Sequence, residues 1–227
     1  MKILALDTAT EACSAALLID SDLRSRELEL GRGHAERILP MIDELLAEAG
    51  LPLSKIDAIA FGRGPGGFTG VRLAASVTQG LAFAAGIPVV PVSDLAAVAQ
   101  KALGFNVEAD RVVVCNDARM QEVYWASFQR DASNLARQVG EEKVGRPGLV
   151  ELPAGWASAV GAGRGFLAYP ELPVRLAAQL SAIEDNLLPS AREIAFLAVP
   201  EVLGRRMVAA EEAIPVYLRD NVASPAR

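Results

Sequence analysis

The segment from Gly62 to Gly70, G-R-G-P-G-G-F-T-G, is the part of the sequence whose composition and spacing best match a binding chemistry. A largely apolar run, residues 56–61, precedes it and an alanine-rich stretch follows, so the segment is predicted to join a strand to a helix. Glycines at such a junction let backbone N–H groups approach an anion at the helix N-terminus. The spacing matches the dinucleotide-binding pattern G-x-G-x-x-G and also the Walker A pattern, except that Phe68 replaces the lysine.

This glycine loop admits two interpretations. Gly64, Gly66 and Gly67 could contact a phosphate group, and the dipole of the following helix favours an anion there. The same glycines, stiffened by Pro65, could instead serve a tight chain reversal without any ligand. Because the Walker A lysine is missing, the cation that neutralises the β- and γ-phosphates is absent, and P-loop nucleotide hydrolysis is not predicted.

A second polar group follows the first apolar run of the chain. Asp7 ends that run, and Thr8 and Thr10 come directly after it. Asp7 could hold a nucleotide-bound Mg²⁺ through water, or it could simply end its strand in a turn, and the sequence leaves both open. Asp7, Thr8 and Thr10 therefore join the three loop glycines as candidate nucleotide- or phosphate-binding residues.

The remaining reactive side chains do not form a catalytic set. His34 is the single histidine and stands at the beginning of an amphipathic helix, where a capping or packing role is favoured over general-base chemistry. Cys13 and Cys115 lack a CxxC spacing and are predicted to be buried thiols, as is typical of proteins in a reducing cytosol. We predict no catalytic residue.

Composition and charge restrict the class of protein. The chain of 227 residues is 52% hydrophobic, enough to bury a core, and its net charge of −6 argues against independent binding of DNA or RNA. The stretch Leu81 to Val92 is interrupted by Gly86 and two prolines and is too short to span a bilayer. The N-terminal apolar run is too short for a secretory signal. We expect a cytoplasmic protein that does not associate with membranes.

The order of predicted elements identifies an α/β architecture. Three short strands joined by turns come first, which predicts an antiparallel meander. A Rossmann domain, with Asp94 on the ribose, would instead carry its glycine pattern after the first strand of a βαβ series. The order β-β-β-α-β-α-β-α belongs to the ribonuclease H-like half-domain of the actin/hexokinase (ASKHA) architecture. The predicted strands are residues 3–7, 13–19, 23–30, 56–61 and 88–92, and the helices are 35–49, 69–85 and one from Ser93.

The second half of the sequence is a weaker repeat of the first. Strands are predicted at residues 111–117, 122–128 and 156–160, and a helix at 190–203. Residues 131–155 hold several glycines and prolines and no helix matching that at 35–49. The sequence therefore predicts two tandem half-domains, residues 1–106 and a smaller, reduced one, residues 107–227.

Two helices of the first half are predicted to bind a partner. The apolar stripe of residues 35–49 is wider than that of an ordinary surface helix, and residues 69–85 are apolar nearly all round. A helix that is apolar nearly all round has to be covered on two sides, and the sheet covers only one of them. The alternative is that the two helices cover each other. The predicted interface residues are Ile38, Met41, Ile42, Leu45, Val71, Arg72, Ala75, Gln79 and Phe83.

Several segments together resemble the bacterial TsaB (YeaZ) family over the whole chain. They are residues 7–10, 13–17, 34–42, 64–72, 117–124 and 215–219. One departure is Gly67, where the family usually has serine. The resemblance implies a subunit that pairs with TsaD when the threonylcarbamoyl group of threonylcarbamoyl-AMP is transferred to the tRNA adenosine beside the anticodon, with the ATPase TsaE assisting.

The resemblance also implies how this subunit would work. It would be a homodimer when alone, would bind TsaD in the complex and would contact tRNA only through that complex. No cofactor would be required, and ATP or ADP at or near the partner interface is left open. TsaD holds a metal on two histidines where this chain has Asp94 and Val98, so we expect no metal site. The alternative function is a stand-alone ATP-dependent phosphotransferase of the same fold that uses Asp7.

Overall fold

The computed structural model describes residues 1–219, and its first half is built on a five-stranded mixed sheet with the order β3-β2-β1-β4-β5. Strand β1 lies at the centre, antiparallel to β2 and parallel to β4. The meander predicted from the sequence is therefore present. The strands are β1 (Lys2–Asp7), β2 (Ala12–Ile19), β3 (Asp22–Glu29), β4 (Ala58–Gly62) and β5 (Val89–Val92).

Three helices belong to the first half: α1 (His34–Ala49), α2 (Phe68–Ala85) and α3 (Asp94–Phe105). Glycines with left-handed backbone, Gly50 and Gly86, follow the ends of α1 and α2. At the start of α3 the Ser93 hydroxyl accepts a hydrogen bond from the Ala96 N–H, so Ser93 is the N-cap that its residue type predicts.

The second half repeats the topology of the first. Its sheet has the order β10-β9-β6-β7-β8, in which the central β6 is antiparallel to β7 and parallel to β9. Two consecutive mixed sheets of this connectivity confirm the predicted ASKHA architecture. The elements are β6 (Arg111–Arg119), β7 (Glu122–Arg130), β8 (Ala136–Gly145), β9 (Ala159–Ala162) and β10 (Leu180–Glu184), with helices α4 (Gly165–Ala168), α5 (Glu171–Leu176) and α6 (Ala191–Leu203).

The second half is reduced in its helices, since α4 and α5 are much shorter than α1 and α2. Its sheet is not reduced and has five strands, like the first sheet. Strands β8 and β10 were not predicted from the sequence, and β9 begins three residues later than the strand predicted at 156–160. Both missed strands lie at sheet edges and alternate only weakly between buried and exposed positions, so they carry little apolar periodicity. The boundary between residues 106 and 107 stays a prediction, and residues 220–227 lie outside the described part of the chain.

The third helix of each half packs on the sheet of the other half. Helix α6 covers the first sheet, where Ile194 and Ala198 pack against Ile3 and Ala60. Helix α3 covers the second sheet through residues such as Val98 and the strands β6 to β9. The two helices also pack against each other.

The predicted partner interface needs correction, because most of it lies in the core of this chain. Helices α1 and α2 cover the outer face of the first sheet, and their apolar stripes pack against Leu4, Leu17 and Phe61. The stripe of α1 is wide because it packs against both the sheet and α2. Six predicted interface residues are at most 4% exposed: Ile38, Met41, Ile42, Leu45, Val71 and Ala75.

The predicted interface residues that remain uncovered in the described structure lie on the outer side of α2. Phe83 is 83% exposed, and Arg72 also faces solvent, while Gln79 is half-buried. Within residues 1–219 no helix combines the length and apolar character that crossing a membrane requires.

Replacing Ile42 by alanine should lower the free energy of unfolding by roughly 2–5 kcal/mol, because the deletion leaves a cavity in the core. The same deletion at Leu39, a neighbour on α1 that is 45% exposed, should cost about 1 kcal/mol or less. Urea unfolding of the two variants measures both values. Equal losses would contradict the assignment of Ile42 to the core.

Candidate functional site

The ends of β1 and β6 meet at a cleft of about 1040 Å³ between the two halves. The turn after β1 contributes Thr8 and Thr10, and the glycine loop after β4 contributes Gly66 and Gly67. The end of β6 contributes Asn116 from the opposite side. Four of the six predicted binding residues are thus brought together, whereas Gly64 and the fully buried Asp7 do not line the cleft.

The glycine loop packs directly against the turn that follows β1. The Gly67 N–H donates to the Ala9 carbonyl oxygen at 2.7 Å, and the Thr8 hydroxyl donates to the Gly70 carbonyl oxygen at 2.7 Å. A Cβ atom at Gly66 would lie 2.6 Å from the Ala9 carbonyl oxygen, and one at Gly70 would collide with the Thr8 carbonyl. Close approach of two backbone segments therefore accounts for these glycines. The turn interpretation has structural support, and phosphate binding stays a prediction.

Asp7 forms a buried pair with Asp94, the first residue of α3. Each carboxyl accepts one backbone N–H: Asp7 Oδ1 accepts from Ala9 at 2.9 Å, and Asp94 Oδ2 accepts from Gly64. A Cβ atom at Gly62 would collide with Oδ1 of both carboxyls, so only glycine can stand between them. The remaining oxygens, Asp7 Oδ2 and Asp94 Oδ1, have no partner among the described residues.

This geometry favours one shared proton over two negative charges. Burial raises the pKa of Asp7 to about 6, and burial together with the Asp7 charge raises the pKa of Asp94 well above its usual range. A proton on one carboxyl allows it to donate to the other. Arg63, which lowers the pKa of Asp94 slightly, is 3.1 Å from the buried carboxylate of Glu142 on β8. The Asp7 carboxyl is therefore directed to Asp94. Of the two roles that the sequence leaves open for Asp7, this contact supports the turn, and the metal anchor stays a prediction.

His34 ties the start of α1 to the same turn. Its Nε2 lies 3.0 Å from the Thr10 carbonyl oxygen, and since a carbonyl only accepts, Nε2 must donate. The Cys13 thiol approaches the His34 carbonyl from β2. Both contacts hold helix and turn together, so they support the predicted packing role. Cys13 and Cys115 are buried free thiols, as predicted.

Residues 213–219 run as a strap along the mouth of the cleft, a feature that the sequence analysis missed. The Val216 N–H donates to the Arg63 carbonyl at 2.8 Å, and Arg72 Nε donates to the Tyr217 hydroxyl at 2.8 Å. At the far end Arg219 pairs with Glu122 on β7. The strap therefore connects the glycine loop and α2 of the first half with the β6–β7 hairpin of the second.

A sequence signal for the Asp7–Asp94 pair did exist. Strands β1, β4 and β5 are parallel neighbours, so the residues at their carboxyl ends meet at one edge of the sheet. Those residues are Asp7, Gly62 and, just past β5, Asp94. Reading the three ends together would have predicted the pair. Within residues 1–219 no group of three or more metal-ligating side chains is found.

Comparison with known proteins gives matches over nearly the whole chain. Residues 29–227 match the model of the family described as TsaD, tRNA N6-adenosine threonylcarbamoyltransferase. The tRNA threonylcarbamoyladenosine biosynthesis protein TsaB of Escherichia coli is 42% identical over 98% of this chain and 96% of its own length. The TsaB of Haemophilus influenzae is 42% identical over 98% and 95%.

A solved structure is equally similar. The crystal structure of a Pseudomonas aeruginosa protein described as similar to peptidase YeaZ superposes with a TM-score of 0.89 at 47% identity. The match covers 96% of this chain and 99% of that one.

Replacing Asp94 by asparagine should flatten the pH dependence of stability. Because the native pKa values of the pair are raised, the pair's contribution is complete below about pH 4 and is lost as the pH rises through 6 and above. Asparagine can donate to Asp7 permanently. Between pH 5 and pH 8 the wild type should lose about 1–3 kcal/mol more unfolding free energy than the variant, measured by urea unfolding.

The matched control is Asp43→Asn, which removes an exposed carboxyl from α1. It should keep the wild-type pH dependence. Parallel pH profiles for wild type and Asp94→Asn would exclude a shared proton.

Proposed function

The chain belongs to the TsaB (YeaZ) family of tRNA threonylcarbamoyladenosine biosynthesis proteins, and from this membership we propose that it is a non-catalytic subunit that binds TsaD. In the complex it supports transfer of the threonylcarbamoyl group from threonylcarbamoyl-AMP to the adenosine beside the anticodon of tRNA. The proposal that the chain is non-catalytic rests on one observation. The residues predicted to bind a nucleotide make contacts within the chain instead. The glycine loop is packed against Ala9, and the Asp7 carboxyl is directed to Asp94.

The outer face of α2 is the surface that we propose for the partner. Arg72, Ser76, Gly80 and Phe83 are exposed at intervals of three or four residues, so they form one side of the helix. Ser76 and Gly80 are small and let another helix approach closely. Of the interface residues predicted from the sequence, this surface retains Arg72, Gln79 and Phe83.

An aromatic cluster extends this surface at the N-terminal end of α2. The Arg72 guanidinium lies 3.2 Å from the centroid of the Phe68 ring and 5.3 Å from that of Tyr217. Phe68 and Tyr217 are 57% and 48% exposed, so the cluster offers apolar area to a partner. Arginine and aromatic residues are enriched at the centres of protein interfaces.

The same surface serves two assemblies in this proposal. Alone, the chain forms a homodimer through α2, and TsaD replaces the second copy in the working complex because it shares the fold. TsaE joins that complex, and tRNA is contacted only through it, in the cytoplasm. The subunit requires no cofactor of its own, and a site for ATP or ADP at or near the partner interface stays a prediction.

A stand-alone phosphotransferase is the weaker candidate. Such an enzyme needs a free carboxylate at the end of β1 and a glycine loop open to phosphate. Asp7 is buried beside Asp94, and the glycine loop is packed against the turn, so neither requirement is supported.

Replacing Phe83 by lysine should abolish binding to TsaD and homodimer formation while leaving the monomer folded. The side chain contributes little to the core, and a lysine suits the C-terminal end of a helix. The control is Phe105→Lys, which makes the same change at an exposed phenylalanine (64%) in the last turn of α3. Sedimentation velocity with and without TsaD measures both. If Phe83→Lys sediments as wild type, α2 is not the interface.

A reconstituted modification assay tests the function itself. With TsaD, TsaE, threonylcarbamoyl-AMP and tRNA, omission of this chain should reduce modification at least tenfold, the loss that removal of a coupling free energy of about 1.4 kcal/mol produces. Phe83→Lys should behave like omission, and Phe105→Lys like wild type. Turnover of ATP by the purified chain without TsaD would instead favour the phosphotransferase.

A further inference from the structure

A carboxylate of the first half lies between two guanidinium groups of the second half. Glu11, in the turn after β1, has Oε1 at 2.8 Å from Arg119 and Oε2 at 3.7 Å from Arg164. Arg119 ends β6, and Arg164 directly precedes α4 in the glycine-rich segment 161–165. These two ion pairs connect the halves across the cleft.

The guanidinium groups are held in position by other partners. Arg119 also pairs with Asp117 at 2.9 Å, and Arg164 pairs with Glu29 at 2.7 Å and donates to Asn186 at 3.0 Å. Removing Glu11 would therefore leave both arginines oriented. Glu11 itself has no other ion-pair partner within residues 1–219, so it is the component that can leave.

A third donor lies at the same place and is unused. Asn116 is only 6% exposed, and neither its Oδ1 nor its Nδ2 has a hydrogen-bond partner among the described residues. Buried amides without partners are costly unless a ligand or water completes them. Asn116 lines a cavity of about 270 Å³ together with Glu11, Arg119 and Arg164.

We propose that this cavity is an oxyanion-binding site that is occupied internally by the Glu11 carboxylate, and that a phosphate group binds there by displacing Glu11. The turn after β1 is then released from the second half. Glu11 is 39% exposed and Arg119 73% exposed, so solvent screens their pairing and exchange with an external anion is feasible.

The number of donors favours phosphate over a second carboxylate. The two oxygens of Glu11 meet the two arginines and leave the Asn116 amide unused. A tetrahedral phosphate presents more acceptor oxygens than a carboxylate and can meet all three donors at once. Charge explains why Glu11 must leave first. Three carboxylates, those of Glu11, Asp117 and Glu29, face two arginines, so the group carries a net negative charge. Once Glu11 has left, the net charge of the group is zero.

Replacing Glu11 by glutamine tests the site, because the isosteric amide removes the charge and keeps the size. Isothermal titration with inorganic phosphate at constant ionic strength should show an affinity for Glu11→Gln at least about fivefold above wild type, the factor that corresponds to loss of an exposed ion pair. Adding Arg164→Met should abolish that gain. Sodium acetate, titrated in the same way, should bind more weakly than phosphate.

The matched control is Glu36→Gln, which removes an equal charge from α1 at the rim of the large cleft. It should bind phosphate as wild type does. If Glu11→Gln and Glu36→Gln show the same affinity, the gain is a general charge effect and the site does not exist. If acetate binds Glu11→Gln as tightly as phosphate does, the assignment to a phosphate group is wrong.

A measurement on the wild type keeps the proposal testable if Glu11→Gln does not fold. Saturating phosphate should increase amide hydrogen exchange in residues 8–12, because the turn loses its contact with the second half. Chloride at the same ionic strength should not. Unchanged exchange under phosphate would overturn the displacement of Glu11.

Discussion

The close approach of the glycine loop to the turn after β1 is the constraint on which the rest of the site depends. Two backbone segments meet at Gly66 and Gly70 with no room for side chains, and their hydrogen bonds run between Gly67 and Ala9 and between Thr8 and Gly70. This contact fixes the end of β1, and it thereby positions Asp7 beside Asp94 and Glu11 opposite the second half. A loop whose composition suggests ligand binding is here part of the protein's own packing.

Polar groups at the centre of the molecule follow a related pattern. Asp7 is directed to Asp94, and Asp117 is satisfied by Arg119 and by the Tyr169 hydroxyl at 2.9 Å. The fold's two facing hairpins therefore meet their hydrogen-bonding needs largely within the chain. Asn116, at the end of β6, has no hydrogen-bond partner for either side-chain atom among the described residues, whereas Asp7, at the end of β1, accepts from the Ala9 N–H through one of its two oxygens. An amide left wholly without partners in this way is what the proposed phosphate site would satisfy.

Much of the architecture could be predicted from the sequence because it follows from short-range patterns. The first-half helices and central strands have strong periodicity, and the order of elements identified the ASKHA fold. The partner surface could not be predicted, because the apolar stripes of α1 and α2 do not reveal which side meets the sheet. Met41 and Phe83 are both apolar helix residues, yet one is 3% and the other 83% exposed. Long-range contacts such as Glu11 with Arg164 likewise leave no local signal, since their positions are set only when both halves are packed.

The exchange of α3 and α6 has a consequence for how the chain can be divided. Each sheet depends on a helix that the other half encodes, so a fragment of residues 1–106 would leave Ile3, Ala60 and Val90 open to water. The tandem repeat is visible in topology, but it does not correspond to two autonomous folding units. While the chain is still being synthesised and α6 has not yet emerged from the ribosome, the first sheet exposes an apolar face that is prone to aggregation. Productive folding therefore has to wait for nearly the whole polypeptide.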